Sequence, residues 1–174
     1  MEPRIYVASL SDYNAGTLHG VWIDLIYSDI DDVNRQIEAM LAESPEAMAT
    51  GIPAEEWAIH DYEGFGPLMV SEFSDLEGLI ETAHVLAEDM GEAAALFADN
   101  YHMDADDTDW IDWWRNIEHD VYVGSLRDFA EDHFFDWFDV PDSVASYIDF
   151  DAFARDLRYD GYWEEGGYVF PPGL

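Results

Sequence analysis

Carboxylates are what this sequence is equipped with for chemistry: forty Asp and Glu in 174 positions. Two acids flanking a sugar ring, with tryptophan or tyrosine stacked on it, are the machinery of glycoside hydrolysis. With forty acids, any fold brings some pair to a suitable separation by chance. Such pairs therefore carry no weight, and the chain is not read as an enzyme. The run DADDTD, Asp104–Asp109, invites a calcium reading. An EF-hand loop opening at Asp104 places Asp106 and Thr108 at its third and fifth positions. It then puts Asp109 where glycine is needed and Arg115 where the bidentate Glu belongs. The run reads instead as a solvated loop that caps the next helix through Asp107 or Thr108. The histidines, His19, His60, His84, His102, His119 and His133, show no His-Glu-x-x-His spacing and no close pairing. There is no cysteine, which excludes disulfides and thiolate metal sites. Neither a glycine-rich phosphate loop nor a Gly-x-Ser-x-Gly elbow is present. No catalytic, cofactor-binding or metal residue is assigned.

The basic residues are six arginines and no lysine, leaving a formal net charge of -34. Disordered acidic chains are poor in large apolar side chains. Here hydrophobic residues make up 49% and aromatic residues 16%, enough to build a core, so a folded protein under strong self-repulsion is expected. Nucleic acid and anionic membrane surfaces would both repel it. No apolar run approaches the roughly 20 residues that span a bilayer, and MEPRIYVASLSDYNAG lacks a signal pattern. The default expectation is a soluble cytoplasmic protein with neither nucleic acid nor membrane as partner. Adaptation to high salt also favours acids and removes lysine. A halophilic binding module or enzyme is therefore the alternative, against which stand seven Trp, ten Tyr and ten Phe.

The elements that must position these acids suggest an α+β fold of small units. Strands are expected over Arg4–Leu10, with Ile5, Val7 and Ser9 on one face, and over Thr17–Leu25 after a turn at DYNAG. Ser28 with Asp31 reads as a capping box opening a helix from Asp29 to about Leu41, with Ile30, Val33, Ile37 and Leu41 inward. SPEAMATGIP reads as a loop, and Glu55–Glu63 as a third strand. Residues 1–62 then form an antiparallel β/α unit. GFGP marks a boundary, followed by a helical middle over 63–103. There Ser74 with Glu77 opens a helix reaching about Asp89. Leu76, Leu79, Ile80, Ala83 and Leu86 share one arc of it, opposite Glu77, Glu81, Glu88 and Asp89. Gly91 interrupts before another helix. Residues 104–174 read as a C-terminal α+β unit. Its helices are expected at WIDWWRNI, at Arg127–Val140 ended by Pro141, and at Asp149–Arg158, with strands at DVYVGSL and YWEEGGYVF. The charge is spread along all of it: -10 over 1–61, -9 over 62–103 and -15 over 104–174.

In the helix 127–140, Asp128, Glu131, Asp132, Asp136 and Asp139 share an arc of about 140°. Leu126, Phe129, Ala130, Phe134, Trp137 and Phe138 lie opposite as a core-facing stripe, while Phe135 falls among the acids. Like-charge pairs at i,i+3 and i,i+4 each cost roughly 0.2–0.5 kcal/mol, a burden that points to a use. Neutralising Asp128, Asp132 and Asp136 to Asn is therefore expected to raise stability. The row places one charge every 3–4 Å of axis, roughly the phosphate spacing of one DNA strand. At one charge per ~1.7 Å of duplex, the whole chain carries the charge of about 58 Å of DNA. The same reading takes Asp104, Asp106, Asp107, Asp109 and Asp112 into one acidic, DNA-like surface with Glu77, Glu81, Glu88, Asp89 and the helix row.

Three stretches carry a resemblance: RIYVASLSDYNAGTLHGVWIDL, EEWAIHDYEGF and VASYIDFDAFARDLRYDGYW. In content and order they resemble the ArdA antirestriction proteins; DWIDWWRNIEHD lies outside these three stretches. The resemblance implies a DNA mimic carried by mobile genetic elements. Such a protein occupies the methyltransferase core of type I restriction–modification enzymes in place of DNA. It also implies an elongated chain of small domains that forms a homodimer through the C-terminal unit. Within the matching segment, the resemblance implies that Tyr147, Ile148, Phe150, Phe153 and Leu157 belong to the core or the dimer interface.

Overall fold

The computed structural model describes residues 1–173, which hold nine α-helices and two antiparallel three-stranded sheets, an α+β fold. The chain divides into two compact units, Met1–Trp113 and Trp114–Leu174.

The first unit is built on a sheet of order β2-β1-β3, from β1 (Arg4–Ser9), β2 (Gly20–Asp24) and β3 (Trp57–Glu63). Alternation decides the faces of β1: Ile5, Val7 and Ser9 are buried. Tyr6 takes the other face beside its register partner Trp22, ring centroids 5.4 Å apart. The expected DYNAG turn is instead a helical turn, α1 (Leu10–Asn14), and the expected loop after Ser44 holds α3 (Pro45–Thr50). One buried carboxylate explains both. Asp12 accepts the Ser44 hydroxyl at 2.6 Å and the Glu46 N–H at 2.8 Å, so each short helix steadies the other. The local signal for α3 was present: Ser44 caps it, Pro45 opens it and Gly51 follows its end.

α2 (Ile30–Ala42) is capped by Asp29, whose carboxylate accepts the Asp32 N–H at 2.8 Å. Ser28, the expected cap, donates to the Asp24 carbonyl instead. α4 (Leu76–Leu86) repeats the substitution, with Asp75 rather than Ser74 accepting from Gly78. A full charge suits the positive end of a helix better than a hydroxyl does, and in both places an Asp follows the Ser. α2 buries Val33, Ile37 and Met40 against β1 and β2, worth about 1.5–3 kcal/mol for each side chain. Ile30 and Leu41, expected inward, are only half-buried. α4 buries Leu76, Leu79, Ile80, Ala83 and Leu86 as its periodicity requires, and packs on α5 (Gly91–Asn100). α6 (Asp109–Ile117) follows, with Trp110 and Trp114 buried.

In the second unit, β4 (Tyr122–Val123), β5 (Trp163–Glu165) and β6 (Tyr168–Phe170) form a sheet of order β4-β6-β5. Gly166 and Gly167, with φ of 58° and 85°, turn the β5–β6 hairpin in a conformation only glycine adopts cheaply. α7 (Leu126–Trp137), α8 (Asp142–Ala145) and α9 (Phe150–Tyr159) complete the unit. Its core joins Leu126, Phe129 and Ala130 of α7, Ala154 and Leu157 of α9, and Val169 of β6. α7 stops short of Val140: Phe138 is already extended, with φ -128° and ψ 124°. Pro141 disfavours helical backbone at Val140. The last turn also has no basic side chain to offset Asp136 at the negative helix end. No helix among the described residues is long and apolar enough to cross a membrane.

Candidate functional site

Desolvating a carboxylate costs far more than desolvating a methyl group, so an acid-rich chain folds only by leaving its acids wet. Of the forty, Asp12 alone is buried. Burial by itself would raise its pKa. Hydrogen bonds from Ser44, Ser9 and the Glu46 N–H outweigh that and hold the carboxyl below its usual range. Five of the six arginines already sit in ion pairs: Arg4–Glu63, Arg35–Asp32, Arg115–Glu118, Arg127–Glu131 and Arg158–Glu164. The surface is left strongly negative.

In the first unit the fold gathers acids that are far apart in sequence. Asp106 reaches back to the start of α4, its carboxylate accepting the Asp75 N–H at 2.8 Å. Gly78 permits this approach, since a Cβ there would lie 2.2 Å from the Asp106 carbonyl oxygen. Glu81 of α4 meets Asp109 and Asp112 of α6 around a shallow depression that also holds Thr108 and Trp113. Asp107, the expected cap, accepts the Asp109 N–H at 3.1 Å. Glu77, Glu81, Glu88, Asp89, Asp104, Asp109 and Asp112 are exposed, and Asp106 and Asp107 half-exposed. No group of three or more His, Asp or Glu side chains among the described residues is arranged to hold a metal ion.

In the second unit, Asp128, Glu131, Asp132 and Asp136 lie on α7, all exposed. Asp139 lies past the helix end and does not continue the row. Each of the four has a local partner. Asp128 closes a capping box with Ser125, accepting its hydroxyl at 2.6 Å and its N–H at 3.2 Å. The hydroxyl bond, then the N–H bond and the nearby Arg127 guanidinium, hold the Asp128 carboxyl below its usual range. Glu131 pairs with Arg127 at 3.0 Å, and Asp136 lies 3.8 Å from His133. Asp132 accepts the Tyr122 hydroxyl at 2.5 Å. That bond, with burial and the charges of Asp132 and Asp128, pushes the phenol up to about 12.

The apolar side of α7 departs from a uniform core stripe. Leu126, Phe129 and Ala130 are buried, but Trp137 and Phe138 are each 46% exposed and Phe135 47%. Phe135 finds its partners in Phe134 and Phe150, ring centroids 5.4 and 6.2 Å away. Of the C-terminal motif, Leu157 is core and Phe153 packs on it, Ile148 and Phe150 are half-buried, and Tyr147 is 84% exposed. Val144 is exposed as well. Sequence periodicity assigns Trp137 and Phe138 inward together with Leu126, Phe129 and Ala130, and only a finished core shows which are left over. Sequence spacing also gives no sign that Asp24 and Glu63 flank Arg4 on the outer face of the first sheet. The alternation of GVWID signals only the face of Asp24.

No curated protein matches the chain. A family model described as "Antirestriction protein (ArdA)" matches residues 5–170, almost the whole length. With its three motifs in order along an α+β fold whose acids stay on the surface, the chain belongs to the ArdA antirestriction family.

Proposed function

We propose that this protein is a non-enzymatic mimic of double-stranded DNA. It inhibits type I restriction–modification enzymes by occupying the DNA-binding groove of their methyltransferase core. The observation that carries this reading is the exposure of nearly every carboxylate, across both units, in a member of an antirestriction family. Arginine and lysine side chains that grip phosphate also grip carboxylate. The complex then releases the counterions that DNA would release. The working surface is centred on Glu77, Glu81, Glu88, Asp89, Asp104, Asp106, Asp107, Asp109 and Asp112, and on Asp128, Glu131, Asp132, Asp136 and Asp139. The exposed Phe135, Phe138 and Val144, with Tyr147, supply an apolar surface for a homodimer through the second unit. The site of action is the cytoplasm of a cell that carries such enzymes.

The test is competition between the purified protein and duplex DNA for a type I enzyme, with the protein's mass measured by light scattering. The expected result is displacement of DNA by a particle with the mass of two chains. If six or more phosphate sites are replaced, affinity should fall by roughly 10³-fold or more from 50 to 200 mM salt. Inhibition that persists undiminished at 0.5 M salt would overturn the electrostatic reading.

A further inference from the structure

The second unit holds a cleft of about 530 Å³ that the acid surface does not account for. One side is a stripe on α7, Phe129, His133 and Trp137, which repeats every four residues and so shares a face. Tyr122 and Tyr162 close the other sides, and Asp120 stands in the wall. The rings form one connected set. Phe129 lies 4.5 Å from His133, 5.3 Å from Tyr162 and 5.4 Å from Tyr122, and His133 stacks on Trp137 at 6.0 Å. Tyr122 donates its proton toward Asp132, which enriches its ring in electron density. Among the described residues, no arginine lines the cleft.

Electron-rich ring faces beside a carboxylate attract a cation, and a planar guanidinium satisfies both at once. This chain already uses that combination internally. The Arg4 guanidinium lies 4.7 Å over the Trp22 ring while bonding Glu63. We propose that the cleft between α7 and Tyr122 receives an arginine side chain from the basic surface of the partner protein. It would anchor a contact that carboxylates alone would leave unspecific. The choice of partner rests on the DNA-mimic reading. The occupant follows from charge complementarity, since the cleft lies in a chain of net charge -34.

The test titrates the full-length protein with acetyl-Gly-Arg-Gly-amide and, separately, with its uncharged citrulline counterpart, followed by NMR. The expected shifts concentrate on the Trp137 indole, His133, Tyr122 and Tyr162 and arise with arginine only. Shifts spread evenly over the acidic surface, or equal for both peptides, overturn the proposal. Trp137→Leu should weaken competition against the restriction enzyme at least tenfold without changing the salt slope, because no charge is lost. Trp137 also borders the exposed apolar surface, so Asp120→Asn serves as a second variant. It should weaken peptide binding several-fold at unchanged molecular mass. Wild-type peptide binding in both variants overturns the cleft. A wild-type protein that fails to compete with DNA overturns the mimic reading instead, while the peptide titration still decides the cleft.

Discussion

At the scale of the residue, the carboxylates that make the surface negative also hold the fold together. Asp29, Asp75 and Asp149 each accept a backbone N–H at the start of a helix, and Asp132 takes the Tyr122 hydroxyl. An acid can face a partner with one oxygen while the other satisfies the chain. The Tyr122 pair offers a direct check. A pKa raised to about 12 contributes stability that is complete below the ordinary phenol value near 10. That contribution is lost as pH climbs through the folded value. Carbon NMR of the tyrosine Cζ atoms should show one phenol titrating near 12 in wild type. In Asp132→Asn it should return toward 10 and the alkaline unfolding limb should move to lower pH. A Tyr122 that titrates the same in both proteins would remove the bond as the cause.

At the scale of the element, α7 shows that a row of like charges is not uniformly costly. Spacing alone predicts that Asp128→Asn, Asp132→Asn and Asp136→Asn each relieve repulsion. The structure separates them by position. Asp128 lies in the first turn, where it completes the Ser125 capping box and faces the positive end of the helix. Asp136 lies in the last turn, against the negative end. Asp128→Asn is therefore expected to lower the midpoint of thermal unfolding by a few degrees even though it removes a charge. Asp136→Asn should leave it unchanged or raise it slightly. Thermal unfolding of the two single variants decides the matter: a stabilised Asp128→Asn would show that repulsion outweighs the cap. For the same reason the triple replacement mixes opposing effects and is a poor probe of the row.

At the scale of the whole molecule, a net charge of -34 acts on folding and on binding with opposite signs. Added salt shortens the Debye length from about 30 Å at 0.01 M to about 3 Å at 1 M. The folded state then gains stability from weaker self-repulsion, while the partner loses the advantage of counterion release. The midpoint of unfolding should rise by several degrees between 10 mM and 500 mM sodium chloride while affinity for the restriction enzyme falls. A fold adapted to high salt differs at the low end, losing its helical circular dichroism at 10 mM. The two buried cores, with Ile5, Val7, Ile23 and Leu79 in one and Leu126, Phe129 and Leu157 in the other, predict that the helical signal persists there.

The sequence by itself determined the longer elements and the surface character. Period-two alternation in RIYVAS, period-3.6 burial in α4 and the prohibitive cost of burying charge are local rules that tertiary context seldom reverses. The tertiary structure decided what depends on distant partners. Ser44 and Glu46 make Asp12 a buried tie between two short helices where the sequence suggests a turn and a loop. Gly78 lets Asp106 reach α4 and so gathers Glu81, Asp109 and Asp112. The cleft needs Tyr122, Tyr162 and the α7 stripe to meet, and no spacing within one element encodes that meeting. Sequence patterning assigns each residue a side of its own helix or strand. Which sides end up covered depends on how much core there is to share. That is why Leu157 of the C-terminal motif is sealed inside while Tyr147, ten residues earlier, stands in solvent.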